Sequence, residues 1–86
     1  MAEQYIGKVT HYWSKLGVAG IEITAGELRV GDTIHFKGHT TDLTQKVESM
    51  QVEHEAITVA RAGDSFGMKV IDHVRDHDEV YKVTVD

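Results

Sequence analysis

The chain has 86 residues, of which 41% are hydrophobic and 27% charged, with a formal net charge of −5. This composition is typical of a single small globular domain over residues 1–86 and excludes disordered, collagenous and coiled-coil chains. Cysteine is absent, which excludes disulfides, thiolate nucleophiles and Cys-bound metals. The sequence shows neither a long apolar run nor a signal-peptide pattern, so we expect a cytoplasmic protein with no membrane partner.

The first third of the chain predicts β-strands. Apolar and polar residues alternate over 6–13 and 18–24, and the short segment Ser14–Gly17 predicts a hairpin between them. Gly31 suits a turn that needs a positive φ. Thr33–Lys37 then predicts a further alternating strand.

The middle of the chain fits two structures. A helix over 42–60 would place one apolar stripe on one face, with spacings of three and four residues: Leu43, Val47, Met50, His54 and Ile57. Two strands, Thr44–Glu53 and Ala56–Ala60 with a bulge near Ser49, fit as well and would turn Val52 and Val59 inward. Both alternatives bury Val47 and Ile57, and the pattern alone does not choose between them.

The last third predicts strands again. Ala62–Asp64 predicts a turn, and apolar residues alternate from Phe66 to Val70. Asp76–Asp78 predicts a polar turn, and 80–85 predicts a closing strand. Many short strands separated by turns are typical of an antiparallel barrel or sandwich.

Four segments in this order resemble the second-domain β-barrel of translational GTPases such as elongation factor Tu. They are Gly26-Glu-Leu-Arg-Val-Gly-Asp32, Val47-Glu-Ser-Met50, Ala60-Arg-Ala-Gly-Asp-Ser-Phe-Gly-Met68 and Asp76-His-Asp-Glu-Val80. The resemblance covers about residues 5–83. His77 departs from the glycine that is usual before the aspartate.

The resemblance implies an all-β fold, a small six- to seven-stranded antiparallel Greek-key barrel, and it favours strands in the middle of the chain. Gly31 and Gly63 would permit tight corners. The barrel interior would be filled by six apolar side chains: Leu28, Val30, Ile34, Phe36, Val70 and Val80.

The resemblance also implies a function. The chain lacks a phosphate-binding G-x-x-x-x-G-K-[ST] loop, so no nucleotide and no cofactor are expected. We therefore predict a non-catalytic binding module related to translation elongation factor domain 2, not an enzyme, with RNA (a tRNA end or the ribosome) as its partner. The alternative is a protein–protein docking module with no RNA contact, whose acidic segment 72–79 would attract a basic partner.

Six residues are the candidate contacts to RNA or another partner. Arg61 matches an arginine of the family near the aminoacyl-end pocket, and Thr40 and Thr41 precede the strand that borders that pocket. The hairpin adds an aromatic and basic group that could stack on bases, formed by Tyr12, Trp13 and Lys15. Both residues also have a purely structural explanation. Arg61 would be an ordinary residue at a corner of the barrel, and Trp13 would pack over one end of the barrel.

Metal and acid–base sites are weakly indicated. His35 and His39 are four residues apart, as are His73 and His77. That spacing converges on a helix, whereas strand positions four apart lie ~13 Å from each other. His54 stands between two glutamates, but neighbouring strand residues point to opposite faces. We predict no metal site and no catalytic residue.

Overall fold

The computed structural model describes residues 2–84, which form ten β-strands and contain no helix. Consequently, no helix in this part of the chain is long and apolar enough to cross a membrane. The strands in chain order are β1 (Ala2–Trp13), β2 (Val18–Ile23), β3 (Glu27–Arg29), β4 (Thr33–Lys37), β5 (Asp42–Lys46), β6 (Met50–Val52), β7 (Glu55–Ile57), β8 (Val59–Arg61), β9 (Ser65–Lys69) and β10 (Glu79–Thr84).

Eight strands form one antiparallel sheet in the order β5-β4-β10-β1-β2-β9-β6-β7, and β3 pairs with β8 as a separate ribbon. The long strand β1 bends at two register shifts, between Tyr5 and Gly7 and between Val9 and His11. A β-carbon on Gly7 would lie 2.0 Å from the carbonyl oxygen of Glu22. Only glycine therefore allows β1 and β2 to approach this closely.

Three turns repeat one hydrogen-bonding pattern. In each, the backbone N–H of an arginine donates to the carboxylate of the aspartate three residues later, and that aspartate's N–H donates to the arginine's carbonyl. The turns are Arg29–Asp32, Arg61–Asp64 and Arg75–Asp78, with N–H to carboxylate distances of 2.9, 2.9 and 2.8 Å. Their third residues have positive φ: Gly31 (101°), Gly63 (96°) and His77 (72°). The first two are the predicted glycine corners, and the third places a histidine in a conformation that favours glycine.

The core lies on the inner face of the sheet and consists of aliphatic side chains with two phenylalanines. Its largest fully buried members are Phe36, Ile6, Ile21, Ile23, Leu28, Ile34, Met50, Val9, Val47, Val74 and Val80. Four of the six predicted interior residues are among them, and Val70 is half-buried. The prediction is wrong for Val30, which is 41% exposed, because it lies inside the Arg29–Asp32 turn and not on a strand.

The middle of the chain is neither the predicted helix nor the two predicted strands. It is divided into β5, β6, β7 and β8, each three to five residues long. Glu53 (φ 50°) and His54 (φ 69°) form the two-residue turn between β6 and β7, which ends the predicted strand 44–53 early. Val47 is buried and Ile57 is half-buried as predicted, whereas Val52 beside that turn is 38% exposed.

The prediction of an all-β antiparallel fold is confirmed, but the closed barrel of six or seven strands is wrong. There are more strands than seven, and β5 and β7 are left as the edges of the sheet. β9 ends at Lys69, and the residues that follow form bends and turns until β10 begins. β9 and β5 are therefore not joined by a strand ladder, and the sheet stays open between them. The closing strand was predicted to reach Val85, which lies outside the described residues.

Candidate functional site

A cleft runs along the free edge of the sheet. It lies between β5 and the segment 69–75, and we call it the β5 cleft. One end is lined by Gln45, Lys46, Glu48, Ser49, Lys69, Val70 and Ile71. The other end is lined by Thr40, Thr41, Asp42, Leu43, Asp72, His73 and Arg75. The two ends are distinct concavities, which together are lined by four of the five residues of β5.

One side chain spans the β5 cleft. The Gln45 amide nitrogen donates to the carbonyl of Lys69 at 3.1 Å, and its amide oxygen accepts from the N–H of Ile71 at 2.9 Å. Over residues 2–84 these are the hydrogen bonds that connect β5 with 69–75. Because the backbone of β5 makes none of them, its outer edge is free for another strand.

The charge at the β5 cleft differs from that of the chain as a whole. Within the part of the chain that the structure describes, Lys46, Lys69 and Arg75 have no carboxylate within 4.0 Å. Two of the lining carboxylates are already engaged, since Asp42 bonds His35 and Asp72 accepts from the N–H of His73. The lining therefore contains three basic and three acidic side chains, and its two lysines lie together at the end that also holds Glu48.

A polar cluster lies on the outer face of the sheet beside β5. The two ring nitrogens of His35 are hydrogen-bonded to Glu3 at 2.6 Å and to Asp42 at 2.5 Å. Lys37 lies 2.7 Å from Glu3 and 4.9 Å from the ring centre of Tyr81. This cluster connects the first strand of the chain with the edge strand across two intervening strands.

The same contacts shift the pKa values of His35, Glu3 and Lys37. Burial lowers the pKa of His35, but the hydrogen bonds to Asp42 and Glu3 outweigh it and hold the pKa above its ordinary value. Hydrogen bonds from Lys37 and His35 lower the pKa of Glu3, and the bond to Glu3 raises the pKa of Lys37. Since both ring nitrogens of His35 already have partners, the ring has no free nitrogen to act on a substrate.

Two of the predicted site residues, Thr40 and Thr41, line one end of the β5 cleft, and a third, Tyr12, packs against a residue of that end. Thr40 and Thr41 form the turn between β4 and β5, in which the N–H of Gly38 donates to Thr41 at 2.8 Å. The Tyr12 ring packs edge-on against His73 with centroids 4.6 Å apart, and His73 lines the same end. The fold therefore joins residues that are about 30 positions apart in the sequence.

The other three predicted residues lie elsewhere. Trp13 and Lys15 line a shallow concavity on the β1–β2 hairpin together with Tyr12. The Trp13 ring there is 44% exposed and packs edge-on against His11. Arg61 lies on the β3–β8 ribbon, with its guanidinium 3.5 Å from Glu27. The structure thus separates Arg61 from the two threonines with which it was predicted to act.

The histidines that the structure describes do not form a cluster that could hold a metal ion. His35 is held by two carboxylates, while His73 packs on Tyr12. Among the residues that the structure describes, no group of three or more His, Asp and Glu side chains is arranged to hold a metal ion. His54 is exposed in the turn between the ends of β6 and β7.

Sequence reasoning missed the residues that define the β5 cleft, above all Gln45. The available signal was alternation, because Leu43, Gln45 and Val47 occupy successive inward positions of one strand. A polar residue at an inward position needs a hydrogen-bonding partner, which here is the backbone of 69–71. Lys46, Lys69 and Ile71 carry no comparable signal in the sequence.

Curated relatives of the chain are named as proteases. A protein named collagenase from Porphyromonas gingivalis is 40% identical over 79 residues, which cover 91% of this chain and 22% of that protein. An uncharacterized protease of Methanocaldococcus jannaschii is 39% identical over 77 residues, covering 88% of this chain and 19% of that protein. The chain spans about a fifth of the length of these relatives. No protein-family model matches it.

Solved structures share the fold. The C-terminal domain of a candidate U32 peptidase from Geobacillus thermoleovorans aligns with a TM-score of 0.86 at 23% identity, covering 94% of this chain and 93% of that one. GDP-bound aIF5B from Aeropyrum pernix aligns with a TM-score of 0.64 at 15% identity, covering 93% of this chain and 14% of that one. At these identities both likenesses concern the fold alone.

These comparisons correct the predicted function. The likeness to translational GTPases holds at the level of the fold. A non-catalytic module related to elongation factor domain 2, and its docking alternative, are wrong, because the sequence relatives are named collagenase and protease. The prediction that the chain is not an enzyme is wrong on the same ground, since the relatives indicate a peptidase-related protein. The RNA contact at Thr40, Thr41 and Arg61 loses its support from the family and stays a prediction.

Proposed function

We propose that this chain is the small β-domain of a peptidase-type protein and that it holds the polypeptide on which that protein acts. The observation that carries the proposal is the 40% identity to a protein named collagenase over 91% of this chain. A likeness that covers nearly all of the chain, yet a fifth of the relative, is typical of a shared domain.

The geometry that supports a holding role is the β5 cleft. It is concave, follows an unpaired strand edge and carries basic side chains that lack carboxylate partners in the described part of the chain. Exposed strand edges bind extended polypeptides through the backbone, so they accept many sequences. A protein that hydrolyses polypeptides needs such tolerance.

A domain exchange tests the proposal. The region of the Porphyromonas gingivalis collagenase that matches this chain is replaced by this chain, and hydrolysis of gelatin is measured. We expect the chimera to retain hydrolysis within about threefold, because the domain would hold the same class of substrate. A second chimera carries Gly7→Ala, which we expect to prevent folding of the domain because the added β-carbon would lie 2.0 Å from a backbone oxygen, and this chimera should lose hydrolysis.

Two results would contradict the proposal. One is a relative that hydrolyses gelatin equally well with the matched region deleted. The other is full gelatin hydrolysis by the chimera that carries Gly7→Ala although its matched region no longer folds.

A further inference from the structure

We infer that an extended polypeptide segment with an acidic residue near its amino end binds the β5 cleft as an added β-strand, and that the Gln45 side chain occupies its place in the free protein. The inference rests on the proposed function and specifies the class of ligand at the same site.

The Gln45 amide makes the two hydrogen bonds of a strand residue. It donates to the carbonyl of Lys69 and accepts from the N–H of Ile71, so it bonds to the residues on either side of Val70. In a parallel ladder, one residue bonds in this way to the two neighbours of the residue opposite. The backbone at 69–71 is therefore already arranged for a parallel strand, which a side chain now replaces.

The strand directions fit the same ligand. Five antiparallel pairings lead from β5 to β9 through β4, β10, β1 and β2, so β5 and β9 run in opposite directions. A peptide that runs parallel to 69–71 is consequently antiparallel to β5. It could pair with the free edge of β5 on one side and with 69–71 on the other. β5 has five residues, which corresponds to ~17 Å of extended chain.

The side chains at the cleft select the peptide. Lys46 and Lys69 lie at one end with Glu48, and Arg75 lies at the other end with Asp42 and Asp72. Ile71 is 76% exposed at the end that holds the two lysines. A strand antiparallel to β5 begins beside Lys46, so a segment with an acidic residue near its amino end, followed by apolar residues, complements this arrangement.

The test adds the pentapeptide acetyl-Glu-Val-Thr-Val-Thr-amide to the full chain and follows the amide chemical shifts of the chain by NMR. We expect salt-sensitive shifts confined to residues 42–46 and 69–75. A matched peptide with N-methyl groups on its central residues lacks the backbone donors and is expected to bind at least about tenfold more weakly.

Variants of the chain separate the two parts of the inference. Gln45→Ala removes the competing amide, so the peptide should bind about three- to tenfold more tightly, whereas Gln4→Ala on β1 should leave binding unchanged. The double variant Lys46→Glu, Lys69→Glu should weaken binding at least about fivefold, and Lys8→Glu serves as its control.

The inference is overturned if the N-methylated peptide binds equally well, if the shifts lie on the Trp13 hairpin, or if millimolar peptide causes no shift. These outcomes are distinct from failure of the proposed function. A chimera that hydrolyses gelatin while its cleft does not bind the peptide refutes only the added strand. A chimera that is inactive although its cleft binds the peptide refutes the peptidase role.

Discussion

The third residue of each arginine–aspartate turn has a positive φ. The energetic cost of that conformation can be measured by adding a β-carbon in one turn and by removing it in another. A β-carbon at Gly63 would meet no atom within 4 Å, so Gly63→Ala introduces no clash. Its cost is the positive φ of 96°, about 1–2 kcal/mol for a residue with a β-carbon. The lower entropy of the unfolded chain offsets roughly 0.4–1 kcal/mol of this. We therefore expect Gly63→Ala to lower the free energy of unfolding by about 1 kcal/mol.

The equivalent position of the third turn predicts the opposite sign. His77 has a φ of 72°, so His77→Gly relieves the conformation and should raise the free energy of unfolding by up to about 1 kcal/mol. Gly67→Ala is the matched control, because Gly67 has no positive φ and its added carbon would make only ordinary contacts.

Urea unfolding followed by the fluorescence of Trp13 is the assay, since the chain has one tryptophan. For a domain of this size, a change of 1 kcal/mol corresponds to about 4–8 °C in Tm, which provides an independent check. If Gly63→Ala and Gly67→Ala have equal effects, or if His77→Gly is destabilising, the equivalence of the turns is refuted.

Three further predictions concern stability. The stabilisation by protonated His35 should be complete below its ordinary pKa of about 6.5 and be lost as the pH rises through its raised folded value, so Tm should fall as the pH rises above about 6.5; an equal fall in His35→Gln would contradict this. Gly7→Ala should prevent folding, because its β-carbon would lie 2.0 Å from a backbone oxygen of β2; a wild-type circular dichroism spectrum would refute the reason given. Phe36→Ala should cost about 3–5 kcal/mol in urea unfolding and Phe36→Leu less, because the ring is fully buried.

Much of the fold could be predicted because its signals are local. Alternation identified β1, β2, β4 and β9, and glycine identified two of the three equivalent turns. The middle strands have only three to five residues, too few for alternation to exceed a helical spacing that arises by chance. The open edge of the sheet could not be predicted, because it depends on where residues 70–75 lie relative to a strand 25 positions earlier.

The site was predicted in part for the same reason. Thr40 and Thr41 were selected through a resemblance, and the fold brings Tyr12 to them through His73. Arg61 was selected by its neighbours in the sequence, yet its position is set by pairing with Glu27 on a separate ribbon. Gln45 belongs to the site through a contact 24 residues away, which no local pattern contains.

The pairing of β1 with β10 also determines how the molecule responds to mechanical load. Ala2 lies opposite Thr84, so the two ends of the described chain leave the sheet side by side. The ladder bonds between these strands are perpendicular to the strand axes, and force applied at the adjacent ends would load them one after another. We expect single-molecule pulling at residues 2 and 84 to open the domain at lower force than pulling across the sheet from residue 2 to the β1–β2 hairpin. A domain attached through these ends would unfold at low force, because its ladder bonds break one after another, and it would refold when the tension is released.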